Sequence, residues 1–344
     1  MNSPYRPSGP LSWLLGKFAA MPSWSIVGTT SAEDRSLVAL SQLCNDHRLA
    51  NAEFLRVEPS SSRRPNRFRE STIRKLDARQ KNASRIAGKS IQHHPIDLLC
   101  REEVLIRMCK NCLTSCGTNL IIDISSMPKR FFFPLISLAL RSGKHENIIA
   151  VYASPAKYGA TLAEDPLPWN AFPMFGATPL TGKGLKLIIG VGYQPLRLSE
   201  IVNGIRFNPD NVELLLPFPS VHPGFVKNWE FVRQIRLEIK QLRDSAIKRV
   251  PTMNTSIAFD RIVAITNNGK NPAVLAPYGP KPVSLAMCLY GITCQDGFVP
   301  IEVGYTQPQV YSDSYSLGIL TDRDGDAVIN ANCIRLKGKN LYEI

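Results

Sequence analysis

The sequence predicts an α/β protein that is internally duplicated, with two Rossmann-like halves, each a mainly parallel sheet flanked by helices. Three observations carry this. Continuous apolar strands alternate with helical stretches, the pattern of parallel strands covered on both faces. One strand–turn–helix segment occurs twice: "LIIDISSMPKRFFFPLISLAL" from Leu120 has a partner in "NPAVLAPYGPKPVSLAMCLYGI" from Asn271. Setting Pro128-Lys129 on Pro280-Lys281 brings Asn119 onto Asn271 and Gly117 onto Gly269 without a gap. Finally, the flanking segments repeat in the same order around both copies.

Downstream, Tyr152, Pro155 and Tyr158 face Tyr305, Pro308 and Tyr311 after a one-residue insertion. Upstream, "NAEFLRVEPS" (Asn51 to Ser60) matches "NVELLLPFPS" (Asn211 to Ser220). Further back, Gly28 meets Gly190 and Arg35 meets Arg197. The predicted organisation is an amphipathic segment over 1–21, a first half over 22–161, a Pro/Gly-rich linker over 162–182, a second half over 183–316 and a C-terminal hairpin and tail over 317–344.

The elements follow in order. "LSWLLGKFAAM" is interrupted by Lys17, too short for a secretory signal, and predicts an amphipathic helix lying on the body. In each half an apolar strand ends at Gly28 or Gly190 and leads into a helix. Ser31 and Asp34 fit a capping box at the first of these helices. A second strand ends in Pro-Ser, and a long basic amphipathic helix follows. His93 and His94 are read as the start of the next helix, which ends near Gly117, or Gly269 in the second copy. Cys109, Cys112 and Cys116 recur at i, i+3 and i+7 beside Leu105 and Met108. That spacing reads as buried thiols on one helix face. With Cys100 they supply neither the loop ligands nor the second pair that a zinc or iron–sulfur site needs, so no metal is assigned. Near the C-terminus Asp322, Asp324 and Asp326 read as a hairpin turn, because Gly325 is misplaced for a calcium loop.

The 344 residues carry a formal charge of +13, with 44% hydrophobic and 20% charged residues. That is a folded protein with a preference for anionic partners. The longest largely apolar run, Phe131 to Leu140, falls well short of the roughly twenty residues a spanning helix requires, so no membrane role and a cytoplasmic location are expected.

Open parallel sheets bind ligands at the carboxyl ends of their strands, where the repeated polar residues fall. Ser125 or Ser126 could cap the helix after the fourth strand, with Pro128 in its first turn. Lys129 and Arg130 would then add charge to an anion pocket at its N-terminus, and Lys281 repeats in the second half. Neither turn is a Walker loop, and "VGTTSAED" lacks the dinucleotide fingerprint, so the cofactor is left unknown. Gly28-Thr29-Thr30-Ser31 offers hydroxyls. Arg35 and Arg197 could reach inward, and Tyr152, Tyr158, Tyr305 and Tyr311 could stack on a base or pack at the rim.

The expected function is binding of a phosphorylated small ligand, a nucleotide first of all, by a pseudo-symmetric sensor or regulatory protein. An effector partner would be needed for that role. Alternatively the chain is an enzyme on a nucleotide or phosphoester, with Asp123 as general base and His222 as an acid–base group. Asp123 faces Leu275 in the second copy, so one half would work while the other supports it. A third reading is nucleic-acid binding through the stretch from Arg63 to Lys89, which holds ten Lys/Arg against Glu70 and Asp77. Arg63, Arg64, Arg67, Arg69, Arg74 and Lys75 would carry it.

Overall fold

The computed structural model describes residues 5–21, 23–60, 66–176, 184–201, 207–220, 224–295, 297 and 299–344. It divides into two compact bodies. The first comprises Tyr5–Asp165 and Pro308–Leu341, so the chain returns to its starting body near its end. The second comprises Pro166–Gln307, joined by Tyr342–Ile344.

In the first body the elements are β1 (Ser8–Pro10), α1 (Leu11–Lys17), β2 (Trp24–Thr30), α2 (Val38–Asn45), β3 (Leu49–Glu58), α3 (Arg69–Ala87), β4 (Gln92–Asp97), α4 (Glu102–Thr114), β5 (Asn119–Asp123), α5 (Lys129–Arg141) and β6 (Asn147–Ala153). Two short strands follow, β7 (Lys157–Tyr158) and β8 (Ala163–Pro166). The second body adds β9 (Asn170–Ala171), β10 (Lys186–Gly190), β11 (Val212–Pro217), α6 (Gly224–Glu238), β12 (Ile247–Val250), α7 (Thr255–Ile265), β13 (Ala273–Pro277), α8 (Lys281–Cys294) and β14 (Ile301–Tyr305). The chain then supplies β15 (Pro308–Tyr311), β16 (Ser316–Leu317), β17 (Ile329–Leu336) and β18 (Lys339–Asn340).

Five parallel strands of the first sheet run in the order β4-β3-β2-β5-β6, with β4 at one edge. The second sheet runs β12-β11-β10-β13-β14, parallel throughout, with β9 antiparallel at its edge. Numbered within each half, both orders are 3-2-1-4-5. Two halves of one chain therefore share a doubly wound topology, each with its switch point between the first and fourth strands. The first sheet is widened by β17, antiparallel beside β6, and by β1 beside β17.

The strands are parallel and central because their residues are apolar on both faces. All of β2 and β6 is buried, as are Leu187 to Gly190 in β10 and the whole of β13. On one side of the first sheet Trp24, Ile26, Phe54 and Ile121 meet Leu11, Leu14, Leu40 and Ala83 from α1, α2 and α3. Leu11, Leu14 and Leu15 pin α1 while Trp13 and Lys17 stay outside, and each buried leucine stabilises by about 1.5–3 kcal/mol. Cys109 and Cys112 in α4, and Cys116 just past its end, are buried. Desolvation raises all three thiols, Cys112 and Cys116 to about 12, so they pack as neutral groups.

Two local expectations are corrected, those for His93 and His94 and for the capping box. His93 and His94 lie inside β4, paired opposite Phe54 and Leu55, and the helix starts only at Glu102. Pro95 between the histidines and that helix favours extended backbone before it. Ser31 and Asp34 form no capping box. The Ser31 hydroxyl accepts from the Glu33 N–H, whereas the Asp34 carboxylate accepts from Gly318 N–H and Arg79. The Asp322 side chain holds its own turn, accepting from the N–H groups of Asp324 and Asp326 at 3.0 Å each. Thr321 bridges Ala327 across that turn, and β17 then joins the first sheet. Among the described residues, no helix is long and apolar enough to cross a membrane.

Candidate functional site

The switch point of the first body lies between the ends of β2 and β5. Thr29 and Thr30 close β2, and their side chains take opposite faces of the sheet. Thr30 Oγ1 lies 2.8 Å from His93 Nδ1. The other ring nitrogen of His93, Nε2, is buried without a hydrogen-bond partner. Burial, with Arg56 and His94 adding to it, lowers His93 to about 4, so the ring is neutral. The Thr29 hydroxyl is likewise buried and unpartnered.

Beyond β5 the chain is tied to both neighbouring strands. The Asp123 carboxylate accepts from the Ser125 N–H at 2.8 Å. Ser125 Oγ accepts from the Ala153 N–H at the end of β6, at 2.8 Å, and Ser126 Oγ reaches the Thr29 carbonyl of β2 at 3.5 Å. Neither serine caps α5, contrary to expectation. Pro128 is the N-cap, no side chain caps the helix, and Lys129 is its first residue. The serines lie too early in the chain to reach the helix N–H groups, and their hydroxyls are engaged by the strands.

Lys129 is half-buried at the head of a 13-residue helix. Desolvation lowers its ammonium from 10.5 to about 7. The positive end of the helix dipole also disfavours a cation there. An anion in the same place would relieve both costs. Beside it, Arg130 donates to the Cys100 carbonyl, while its Nε is buried and unpartnered.

Arg35 sits in a different environment. It is 1% exposed. Nε and Nη2 donate to Glu33 at 3.0 and 2.8 Å, and Nη1 donates to the Ala153 carbonyl at 3.1 Å. The guanidinium lies 5.3 Å from the centre of the Tyr152 ring. Burial alone would lower its pKa; Glu33, with Tyr152 and Tyr158, more than reverses this. Tyr152 Oη is 3.2 Å from Tyr158 Oη, Tyr158 packs edge-on to Tyr315, and Tyr315 packs edge-on to Tyr311. The returning chain completes this cluster, since Ser316 donates to Glu33. Arg35, Tyr152, Tyr158 and Tyr311 are thus brought together around a buried ion pair. Glu33, the partner that organises them, escaped the sequence reading, although it stands only two residues before Arg35.

The second body repeats the scaffold without the hydroxyls. Pro280 is the N-cap of α8 and Lys281 its first residue, matching Pro128 and Lys129. Five residues separate β5 from α5, but three separate β13 from α8. The loops there meet backbone to backbone: a Cβ on Gly192 would lie 2.0 Å from the Tyr278 carbonyl oxygen, and one on Gly279 would lie 3.0 Å from that of Val191. Gly192→Ala is therefore expected to destabilise the protein by about 1–3 kcal/mol, read as a lower denaturant midpoint with an unchanged slope. Tyr278 is 2.9 Å from the Thr306 hydroxyl and packs on Tyr305, which also stacks with Phe172. Arg197 is exposed, in a left-handed conformation with φ of 48°, paired with Glu200 and donating to the Pro166 carbonyl. It does not share the burial of Arg35. His222 lies outside the described residues.

The basic stretch carries less free charge than its composition suggests. Arg67 pairs with Glu164, Lys75 with Asp313 and Arg79 with Asp34. Arg69 donates to the Pro59 and Ser60 carbonyls. Arg74, Lys81 and Arg85 remain exposed along α3, beside a shallow depression of about 400 Å³ lined by Lys75, Ala78, Arg79, Asn82 and Arg85. Arg63 and Arg64 lie outside the described residues.

No protein-family model matches this chain, and no curated protein matches it. Among solved structures it is similar to a universal stress protein from Archaeoglobus fulgidus DSM 4304, at 8% identity and a TM-score of 0.26, over 83% of this chain and 96% of that one. A match at that level carries no residue correspondence.

Proposed function

We propose that the first body binds a phosphorylated small ligand, a nucleotide first among them, at the carboxyl ends of β2 and β5, in a sensor or regulatory role. The observation that carries this is Lys129: a desolvated lysine opening a helix with no side-chain cap, beside the switch point of a doubly wound sheet. Phosphate oxygens would accept from its ammonium and from the helix N–H groups; the buried, unpartnered Thr29 hydroxyl at the end of β2 is a candidate further donor. The second body would not repeat this phosphate site, because its corresponding loops are packed against each other. A protein partner would read out the bound state.

Turnover draws no support from a particular observation; the Asp123 carboxylate accepts from the Ser125 N–H, as a structural aspartate at a strand end would. The nucleic-acid reading of α3 is weakened by the ion pairs that occupy Arg67, Lys75 and Arg79.

Melting-temperature shifts against mono-, di- and cyclic nucleotides, sugar phosphates and inorganic pyrophosphate test the proposal. A ligand at one hundred times its dissociation constant adds about 2.7 kcal/mol, a shift of several degrees. The expected result is a phosphorylated compound that shifts the wild type and leaves Lys129→Ala unmoved. Equal shifts in both proteins, or none from any phosphorylated compound, would overturn it.

A further inference from the structure

The C-terminal edge of the second sheet carries aromatic side chains in an arrangement that the phosphate site does not use. Phe218, just past β11, is 43% exposed, with the Arg249 guanidinium of β12 lying 5.1 Å from its ring centre. Phe225, in the first turn of α6, is 51% exposed and packs edge-on to Trp229 with ring centres 6.2 Å apart. Tyr193, in the loop after β10, lies beneath the Lys227 ammonium at 5.7 Å.

These groups come from neighbouring connections held in register. Asn228 donates to the Gly192 carbonyl at 2.8 Å and bonds the Ser220 hydroxyl at 2.7 Å, tying the loop after β10 and the loop after β11 to α6. Tyr193 also packs closely on the α6 start: a Cβ on Gly224 would lie 2.5 Å from its hydroxyl. The result is two exposed phenylalanines and two half-buried rings, Tyr193 and Trp229, on segments tied together through Asn228, with Arg249 over Phe218 and Lys227 over Tyr193.

Large exposed aromatics cost solubility unless something covers them. Arg249 beside Phe218 and Lys227 beside Tyr193 add positive charge next to the exposed rings, which suits a partner with flat apolar faces and a negatively charged backbone. A protein helix docking through apolar side chains alone would gain nothing from Arg249 and Lys227, whereas single-stranded nucleic acid uses both features, bases stacking on rings and phosphates meeting cations. We infer that this edge of the second body is a binding platform for single-stranded nucleic acid. It is separate from α3 and from the Lys129 pocket, and it stands or falls without them.

Fluorescence anisotropy with a labelled oligothymidylate about twelve nucleotides long tests this directly. The expected result is salt-sensitive binding that weakens about ten-fold in Phe218→Ala and again in Phe225→Ala, since each ring contributes one stacking contact. Trp229 emission should be quenched on binding, and Trp229→Phe should abolish that signal. Both phenylalanines are exposed, so unchanged melting temperatures will show that the variants fold. Arg74→Glu with Lys81→Glu on α3 should leave the affinity within about two-fold. No binding by the wild type, or binding lost through the α3 changes and kept in both phenylalanine variants, would overturn the inference.

Discussion

Replacing Arg35 with alanine is expected to cost about 3–5 kcal/mol, a third or more of the stability of a typical domain. The cost comes from what is left behind. Glu33 is 9% exposed, and its carboxylate accepts from Arg35 Nε and Nη2 and from Ser316. Without the guanidinium that charge would remain buried with one hydroxyl donor in place of the cation. The Ala153 carbonyl would also lose its bond to Nη1, and Tyr152 its stacked cation. The returning segment is anchored by the same carboxylate, so the loss extends to a contact made 283 residues away. Arg35→Met combined with Glu33→Gln, which removes both charges, should recover most of the loss, because a buried pair is expensive to break and cheap to replace. Urea unfolding checks this; a single-variant cost below about 1 kcal/mol would show that the pair is solvated.

The second large effect is on ligand affinity at alkaline pH. In the unliganded protein Lys129 is lowered from 10.5 to about 7. Below about pH 7 both the folded and unfolded chains hold its proton, and the folded state bears the full cost of the buried ammonium. Between about 7 and 10.5 the unfolded chain binds more protons, so stability rises with pH through that window. Lys129→Met should remove this slope and stabilise the unliganded protein near neutral pH. Binding has the opposite sign. A phosphate favours the ammonium, so affinity should be greatest where Lys129 is already charged. Above about pH 7 it should fall, approaching ten-fold per unit. Phosphate monoesters complete their own titration near pH 6, which leaves pH 7 to 9 as a clean interval for calorimetry. Lys129→Met should bind weakly at every pH in that interval.

Both predictions arise from residues that the sequence singles out, and in each the partners are known only from the fold. The repeated Pro-Lys was legible because a proline and an apolar helix restrict local geometry, and both helices begin on the lysine. The doubly wound topology was legible for a similar reason: strands buried on both faces are apolar along their whole length. Arg35 reaches inward, as expected, but its partners could not be named from sequence, because they come from β6, from Glu33 and from a segment near the other end of the chain. Ser125 and Ser126 resemble caps locally, and the neighbouring strands decide where their hydroxyls go instead. The histidines of β4 were misplaced because a short polar edge strand has little hydrophobic signal; parallel pairing with β3 supplies what local propensity lacks. The exposure of Phe218 and Phe225 is a property of the folded surface and leaves no mark in the sequence.

Titration of Lys129 itself is the most direct measurement. Protein labelled with carbon-13 at the lysine ε-carbons, with Lys129→Arg to assign the resonance, would be followed from pH 6 to 11 with and without saturating inorganic pyrophosphate. The expected result is a midpoint near 7 in the free protein that moves upward when pyrophosphate is present. An ordinary midpoint near 10.5 that pyrophosphate does not shift would contradict the site.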